Sequence, residues 1–293
     1  MENTQAQNKC ILCPRECNAD RVASLGYCGE GKAARVARAM LHPWEEPCLC
    51  SRAPSGAVFF SGCSLKCVYC QNSAISRKPK GELYSPQALG ELFLSLQSQG
   101  AQNINLVTPT HFADVIRDAL DAVRPSLSLP VVWNTSGYEK SEAVRALNGY
   151  ADIFLTDFKY ASCELSARYS FAPDYPEIAA KALSQMVALT GEPQFEGEEL
   201  KKGVILRHLV LPGCYRDSIA VLRRVAELVG TESVILSLMA QYTPEFLKEG
   251  YTELARRITT YEYEKVADEA RALGFNGYFQ ERSAASCSFT PDF

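Results

Sequence analysis

Cys63, Cys67 and Cys70 stand in a C-x3-C-x2-C spacing within S-G-C-S-L-K-C-V-Y-C-Q-N, directly after the apolar run A-V-F-F at residues 57–60. Thiolates are the protein ligands of iron-sulfur clusters, and these intervals let one loop reach adjacent corners of a cubane. Structural zinc asks for four protein ligands in a closed tetrahedron, whereas this loop supplies three, with no His or Cys close behind. Three ligands on a 4Fe-4S cluster leave one iron open, which suits chemistry better than electron storage. The plainer reading, buried free thiols or a disulfide, is disfavoured by this spacing after a strand.

A second set, Cys10, Cys13, Cys17 and Cys28, reads C-x2-C-x3-C-x10-C among Pro14, Gly26, Gly29 and Gly31. Four ligands suggest a closed site, either zinc folding a small knuckle or a second iron-sulfur cluster feeding electrons to the first. Thiols without metal are the third reading. Cys48 and Cys50 read as loose thiols, and His42 as a packed loop histidine. Residues 1–55 are thus expected as a Cys-rich N-terminal extension, and residues 56–293 as the core.

The chain has 293 residues, 47% of them hydrophobic, enough to bury a large core. Thirty basic against 34 acidic residues, with no basic block, argue against nucleic acid as the principal partner. No charged n-region precedes an apolar segment, and no run reaches the ~18 apolar residues of a membrane span. A cytosolic protein is expected, and twelve cysteines there argue for metal ligands over disulfides.

The elements that must position the cysteines follow from residue 56 onward, where apolar strands alternate with amphipathic helices, the pattern of a parallel sheet with helical crossovers. Strands are expected at residues 57–60, 103–107, 131–134, 153–158, 204–210 and 233–239. Ser85 with Pro86 marks a helix start, Asp217 or Ser218 another, and Thr259 with Glu262 has capping-box spacing. Residues 190–202 read as a mobile surface loop, and the chain as ending in a helix near Gly274 and a short tail. Six strand-helix units fill residues 56–239 at about 31 residues each, the size of one such step. Eight would need about 250 residues. The fold class is therefore α/β, an incomplete (β/α)6 TIM-like barrel.

The triad resembles the signature of the radical S-adenosylmethionine (SAM) superfamily, with Tyr69 at the position that lies beside the adenine in that family. More narrowly, the chain resembles relatives of pyruvate formate-lyase activating enzyme, and among them an uncharacterised branch. That branch's motifs appear as H-P-W-E-E-P at 42–47, the cysteine stretch at 59–72, V-T-P-T-H at 107–111 and D-F-K-Y at 157–160. R-H-L-V-L-P-G at 207–213 and M-A-Q-Y at 239–242 complete the set, so the resemblance covers nearly the whole chain. It implies a radical SAM core in which the open iron is chelated by SAM. Reductive cleavage to methionine and a 5'-deoxyadenosyl radical would follow, with electrons from a low-potential donor such as flavodoxin or ferredoxin. The implied activity is an activating-enzyme-like oxidoreductase taking hydrogen from a glycine of a glycyl radical protein. Modification of a peptide, small metabolite or RNA is the alternative, and a non-catalytic iron-sulfur or zinc scaffold comes from another class.

Barrel chemistry sits at the carboxyl ends of strands. Where the activating enzymes carry Gly-Gly-Glu for the SAM amino group, this chain has Thr108, Pro109, Thr110 and His111. The resemblance therefore gives Thr108 and Thr110 that contact and aims His111 at the substrate, against the plain reading of a packed histidine. Asn134, Thr135, Ser136 and Gly137 resemble the relatives' Asp-Thr-Asn-Gly near SAM. Asp157 and Lys159, alternate residues on one face, match Asp-x-Lys, with Lys159 on the SAM carboxylate; the plainer reading is an ion pair at the barrel mouth. Arg207 is expected inward as a carboxylate partner and His208 as structural. Gln241 and Tyr242 are candidates for ribose or substrate. Cys163, Cys214 and Cys287 have no metal-like neighbours.

Overall fold

The computed structural model describes residues 9–280 and residue 293. Cys287 lies outside the described residues. Short apolar runs become parallel strands here because only a sheet covered on both faces hides them. In chain order the strands are β1 (Ala34–His42), β2 (Ser55–Phe60), β3 (Glu82–Tyr84), β4 (Ile104–Val107) and β5 (Val131–Thr135). They continue with β6 (Ile153–Asp157), β7 (Gln194–Glu196), β8 (Glu199–Leu209), β9 (Ile235–Met239) and β10 (Gly277–Phe279). The helices are α1 (Ser73–Ser76), α2 (Pro86–Ser98), α3 (Ala113–Val123), α4 (Ser141–Arg145), α5 (Cys163–Ser170), α6 (Tyr175–Thr190), α7 (Tyr215–Val229) and α8 (Thr260–Leu273).

The main sheet runs β10-β9-β8-β6-β5-β4-β2-β1-β3. Neighbours from β2 to β10 are parallel, whereas β1 is antiparallel to β2 and β3 to β1. The six expected units are β2, β4, β5, β6, β8 and β9, and no pairing joins the two edges among the described residues. The arc is open. It is also longer than expected at both ends: β10 adds a strand after α8, and β1, inside the expected Cys-rich extension, is a full member of the sheet. The segment at 190–202 is a β-hairpin rather than a loop, with β7 folding back on β8 and Leu200 buried beneath it.

Alternate residues share a face, and this sets up the interior. Val132, Ile153, Leu155, Ile205 and Ile235 form its floor with Cys48 and Leu49, which enter from a 3-10 turn at Pro47–Leu49. Two residues further along the same strands come Asn134, Asp157, Arg207 and Ser237, so polar side chains cap an apolar floor. Buried amides fix the turn from below: Asn103 Nδ2 donates to the Leu49 carbonyl at 2.8 Å, and Gln102 Oε1 accepts the Arg52 and Ala53 N–H groups.

The helix signals hold in part. Ser85 Oγ accepts the Ala88 N–H, and Thr259 and Glu262 form both halves of a capping box. Asp217 caps nothing on its own helix, because α7 already begins at Tyr215. Its carboxylate instead accepts the N–H groups of Ala161 and Ser162, fixing the exit from β6.

Candidate active site

The loop after β2 carries the three cysteines, and Gly62 makes the turn possible. Its φ is +82°, and a Cβ there would meet the Cys28 carbonyl oxygen and Glu30 Cγ at 2.7 Å. Cys63, Cys67 and Cys70 line one cavity of about 200 Å3, together with Tyr69. Each sulfur faces a donor: the Leu65 N–H lies 3.4 Å from Cys63 Sγ, Ser170 Oγ 2.9 Å from Cys67 Sγ, and Ser76 Oγ 3.5 Å from Cys70 Sγ. Such donors stabilise thiolates. Burial pushes the Cys67 thiol up to about 12, against the pull of Lys159, so a cationic centre is needed to ionise it. Among the described residues no three Cys, His, Asp or Glu side chains close around a single ion. Three cysteines on one loop suit a cluster, in which each thiolate meets a different iron.

The opposite wall carries charge. Asp157 Oδ2 lies 2.5 Å from Lys159 Nζ and Oδ1 lies 3.1 Å from Arg207 Nε. Arg207 Nη2 also donates to Asn134 Oδ1 at 2.7 Å. Burial raises the Asp157 carboxyl, but Lys159 and Arg207 overcome it and hold the group below its ordinary value. Burial lowers Lys159, but Asp157 overcomes it and keeps the ammonium above its ordinary value. Both cations stay charged beside the cavity, as a bound carboxylate would need.

Thr108, Ser136 and Gln241 also line this cavity. Thr108 does so from a left-handed conformation, φ +60°, with its N–H donated to the Asn134 carbonyl; a β-branched residue held there is strained. Thr110 and His111 lie elsewhere. They sit in the 3-10 turn at Thr110–Phe112 that leads into α3, and the turn carries both side chains away from the cavity. Thr110 Oγ1 donates to buried Glu139 at 2.5 Å. His111 Nε2 donates to the Ser61 carbonyl at 2.7 Å, which makes it a brace for the cysteine loop and corrects its expected aim at the substrate. Burial is the main cause that lowers the ring to about 4. His208, read as structural, bonds the Phe158 carbonyl through Nδ1 at 2.6 Å, and Tyr242 gives its hydroxyl to the Leu254 carbonyl.

Three further features join segments that are distant in sequence. Tyr69 Oη lies 2.6 Å from Tyr160 Oη, which lies 2.8 Å from Ser170 Oγ, the donor to Cys67. A buried hydroxyl chain thus links Tyr69 to Cys67. Tyr175 Oη accepts the Lys159 N–H at 2.9 Å and lies 2.8 Å from the Ser136 carbonyl, tying two strand exits together. A second cavity of about 480 Å3 shares Arg207, Met239 and Gln241 with the first and is walled by Glu45 and Glu46. Burial and the Glu46 charge push the Glu45 carboxyl up to about 7. Both glutamates belong to the H-P-W-E-E-P motif, of which the sequence reading weighed only His42.

Residues 57–187 match the family described as the Radical SAM superfamily, a stretch that holds the whole cysteine triad. Over that stretch the chain is similar to a radical SAM domain, a family that implies a 4Fe-4S cluster, SAM and an enzyme. In sequence the chain is 29% identical over 275 residues to "Uncharacterized protein MJ0674" of Methanocaldococcus jannaschii, covering 89% of this chain and 74% of that protein. In structure it is similar to Streptococcus suis SuiB bound to S-adenosylmethionine, with a TM-score of 0.50, 15% identity and 74% of this chain covered. SuiB bound to its precursor peptide SuiA gives 0.51 at 13% identity and 75% coverage. The chain spans about half of SuiB, 47% and 46% in the two structures, and at such identity the likeness shows the fold alone. Among the described residues no helix is long and apolar enough to cross a membrane.

Proposed function

We propose that this protein is a radical SAM enzyme that abstracts hydrogen from a substrate at the mouth of the β-arc. One observation carries the reading: the three cysteines share a cavity with the Asp157, Lys159, Arg207 and Asn134 network. When bound, the cluster and SAM supply an electron and a 5'-deoxyadenosyl radical. Cys63, Cys67 and Cys70 hold the cluster. Lys159 and Arg207 attract the SAM carboxylate, and Asp157 orients both cations. Tyr69 packs beside the adenine, while Thr108, Ser136 and Gln241 offer polar groups to the rest of the cofactor.

The substrate proposed first is a backbone glycine of a partner protein, on the resemblance to activating enzymes and on an arc whose open side admits a loop. A smaller target, such as a metabolite or peptide side chain, is favoured by the second cavity, beside Glu45 and Glu46. Anaerobic reconstitution of the wild type and the C63A/C67A/C70A variant, with dithionite and SAM, tests the reading. Only the wild type is expected to release 5'-deoxyadenosine; absence of SAM binding and cleavage by the reconstituted wild type would overturn it. A glycyl doublet in the electron paramagnetic resonance (EPR) spectrum of a partner, or a mass change in a small substrate, separates the two targets.

A further inference from the structure

The N-terminal cysteines form a second cluster of thiols. Cys28 lies within electrostatic reach of Cys10, Cys13 and Cys17, and Cys10 and Cys17 stand close enough for each to feel the other. The point where a Gly26 Cβ would stand is 3.3 Å from Cys28 Sγ and 3.5 Å from Cys17 Sγ, so both sulfurs lie against this glycine.

This unit is built onto the cysteine loop rather than tethered to it. The Cys63 N–H donates to the Cys28 carbonyl at 3.2 Å, joining a ligand of one set to a ligand of the other. Buried Arg21 donates to the carbonyls of Glu30, Gly31 and His111, and His111 in turn holds the Ser61 carbonyl. Gly62 admits no side chain between the two segments. Cys13 and Cys28 are buried toward the core, whereas Cys10 and Cys17 are partly exposed, so the set has one edge near the radical site and one facing solvent.

We infer that Cys10, Cys13, Cys17 and Cys28 hold a second iron-sulfur cluster that passes single electrons from a low-potential protein donor to the cluster at Cys63, Cys67 and Cys70. In each transfer the donor loses one electron, the N-terminal cluster is reduced and then reoxidised, and the radical-site cluster ends reduced by one electron. The electron-passing role rests on the radical SAM reading; the metal site stands without it.

The C63A/C67A/C70A variant, reconstituted anaerobically, isolates the second site. Expected are about four irons and four acid-labile sulfides per chain, with an EPR signal on dithionite reduction. Zinc, or no metal in variant protein of unchanged circular dichroism, overturns the cluster. The role is read on C17S, which removes one thiolate and leaves the rest of the N-terminal segment in place. With a flavodoxin and its reductase as donor, C17S is expected to reduce the radical-site cluster at least about tenfold more slowly, with SAM binding retained. Reduction at the wild-type rate overturns the role. Should the wild type fail to cleave SAM, the proposed function falls, while the iron count in the triple variant still decides the site.

Discussion

Ser170 Oγ lies 2.9 Å from Cys67 Sγ, across 103 residues of chain. The hydroxyl comes from the last turn of α5, and it is fully buried. Donors to a ligand sulfur stabilise the thiolate and raise the potential of the metal it binds. Ser170→Ala is therefore expected to leave the iron content unchanged and to lower the midpoint potential of the radical-site cluster by tens of millivolts. Redox titration followed by EPR measures this, and an unchanged potential would show that the hydroxyl only fills space.

Asp157→Asn removes the one carboxylate that Lys159 and Arg207 share. Breaking a buried pair by deleting one partner costs about 3–5 kcal/mol, because the remaining charge is left uncompensated. Chemical denaturation of the apo-protein should show a loss of that order, and SAM affinity should fall at least tenfold. Partial recovery of stability in an Asp157→Asn, Arg207→Met double variant, in which only Lys159 is left uncompensated, with SAM still unbound, would separate the structural part from the cofactor part.

Acid should loosen the fold before it protonates ordinary carboxylates. His111 and His208 are both lowered from 6.5 to about 4, first by burial. The unfolded chain takes up these protons as pH falls through 6.5 while the folded chain resists until about 4. Stability is then fully present above pH 6.5 and is lost steadily down to about pH 4, on the order of 3 kcal/mol per histidine at 1.36 kcal/mol per unit. Unfolding free energies measured from pH 8 to pH 4 would show this slope. His111→Gln, which keeps a donor for Ser61, should flatten it by about half.

Gly62→Ala meets two obstacles at once, a φ of +82° and the Cys28 carbonyl 2.7 Å away. Strain in that backbone region costs about 1–3 kcal/mol, and relief requires the N-terminal segment to move off the cysteine loop. Faster proteolysis between residues 10 and 32 is expected, with β2 still protected from hydrogen exchange. Equal protection in both segments would place the strain elsewhere.

The parallel strands were legible because burial on both faces leaves unbroken apolar runs, and the site was legible where polar residues end those runs, as at Asn134, Asp157 and Arg207. β1 escaped because its sequence, A-R-V-A-R-A-M-L-H, mixes arginines into a strand near the sheet's edge. β10 has only three residues, too few to show a period. Thr110 and His111 were misplaced because a strand-end position does not say which way the next turn rotates. The Tyr69, Tyr160 and Ser170 chain, and the double use of Glu45 and Glu46, depend on contacts between distant segments, which spacing does not encode.

The turn at Pro47–Leu49 stands between the N-terminal cysteines and the first strand of the six-unit arc, and it stoppers the interior with Cys48 and Leu49. A cut at residue 55 would therefore not detach an accessory module. It would strip β1 from the sheet and uncork the chamber from below, opening a path for water to the cavity that Cys63, Cys67 and Cys70 line. Residues 9–55 and the barrel make one vessel, and a form that lacks them begins with a leak.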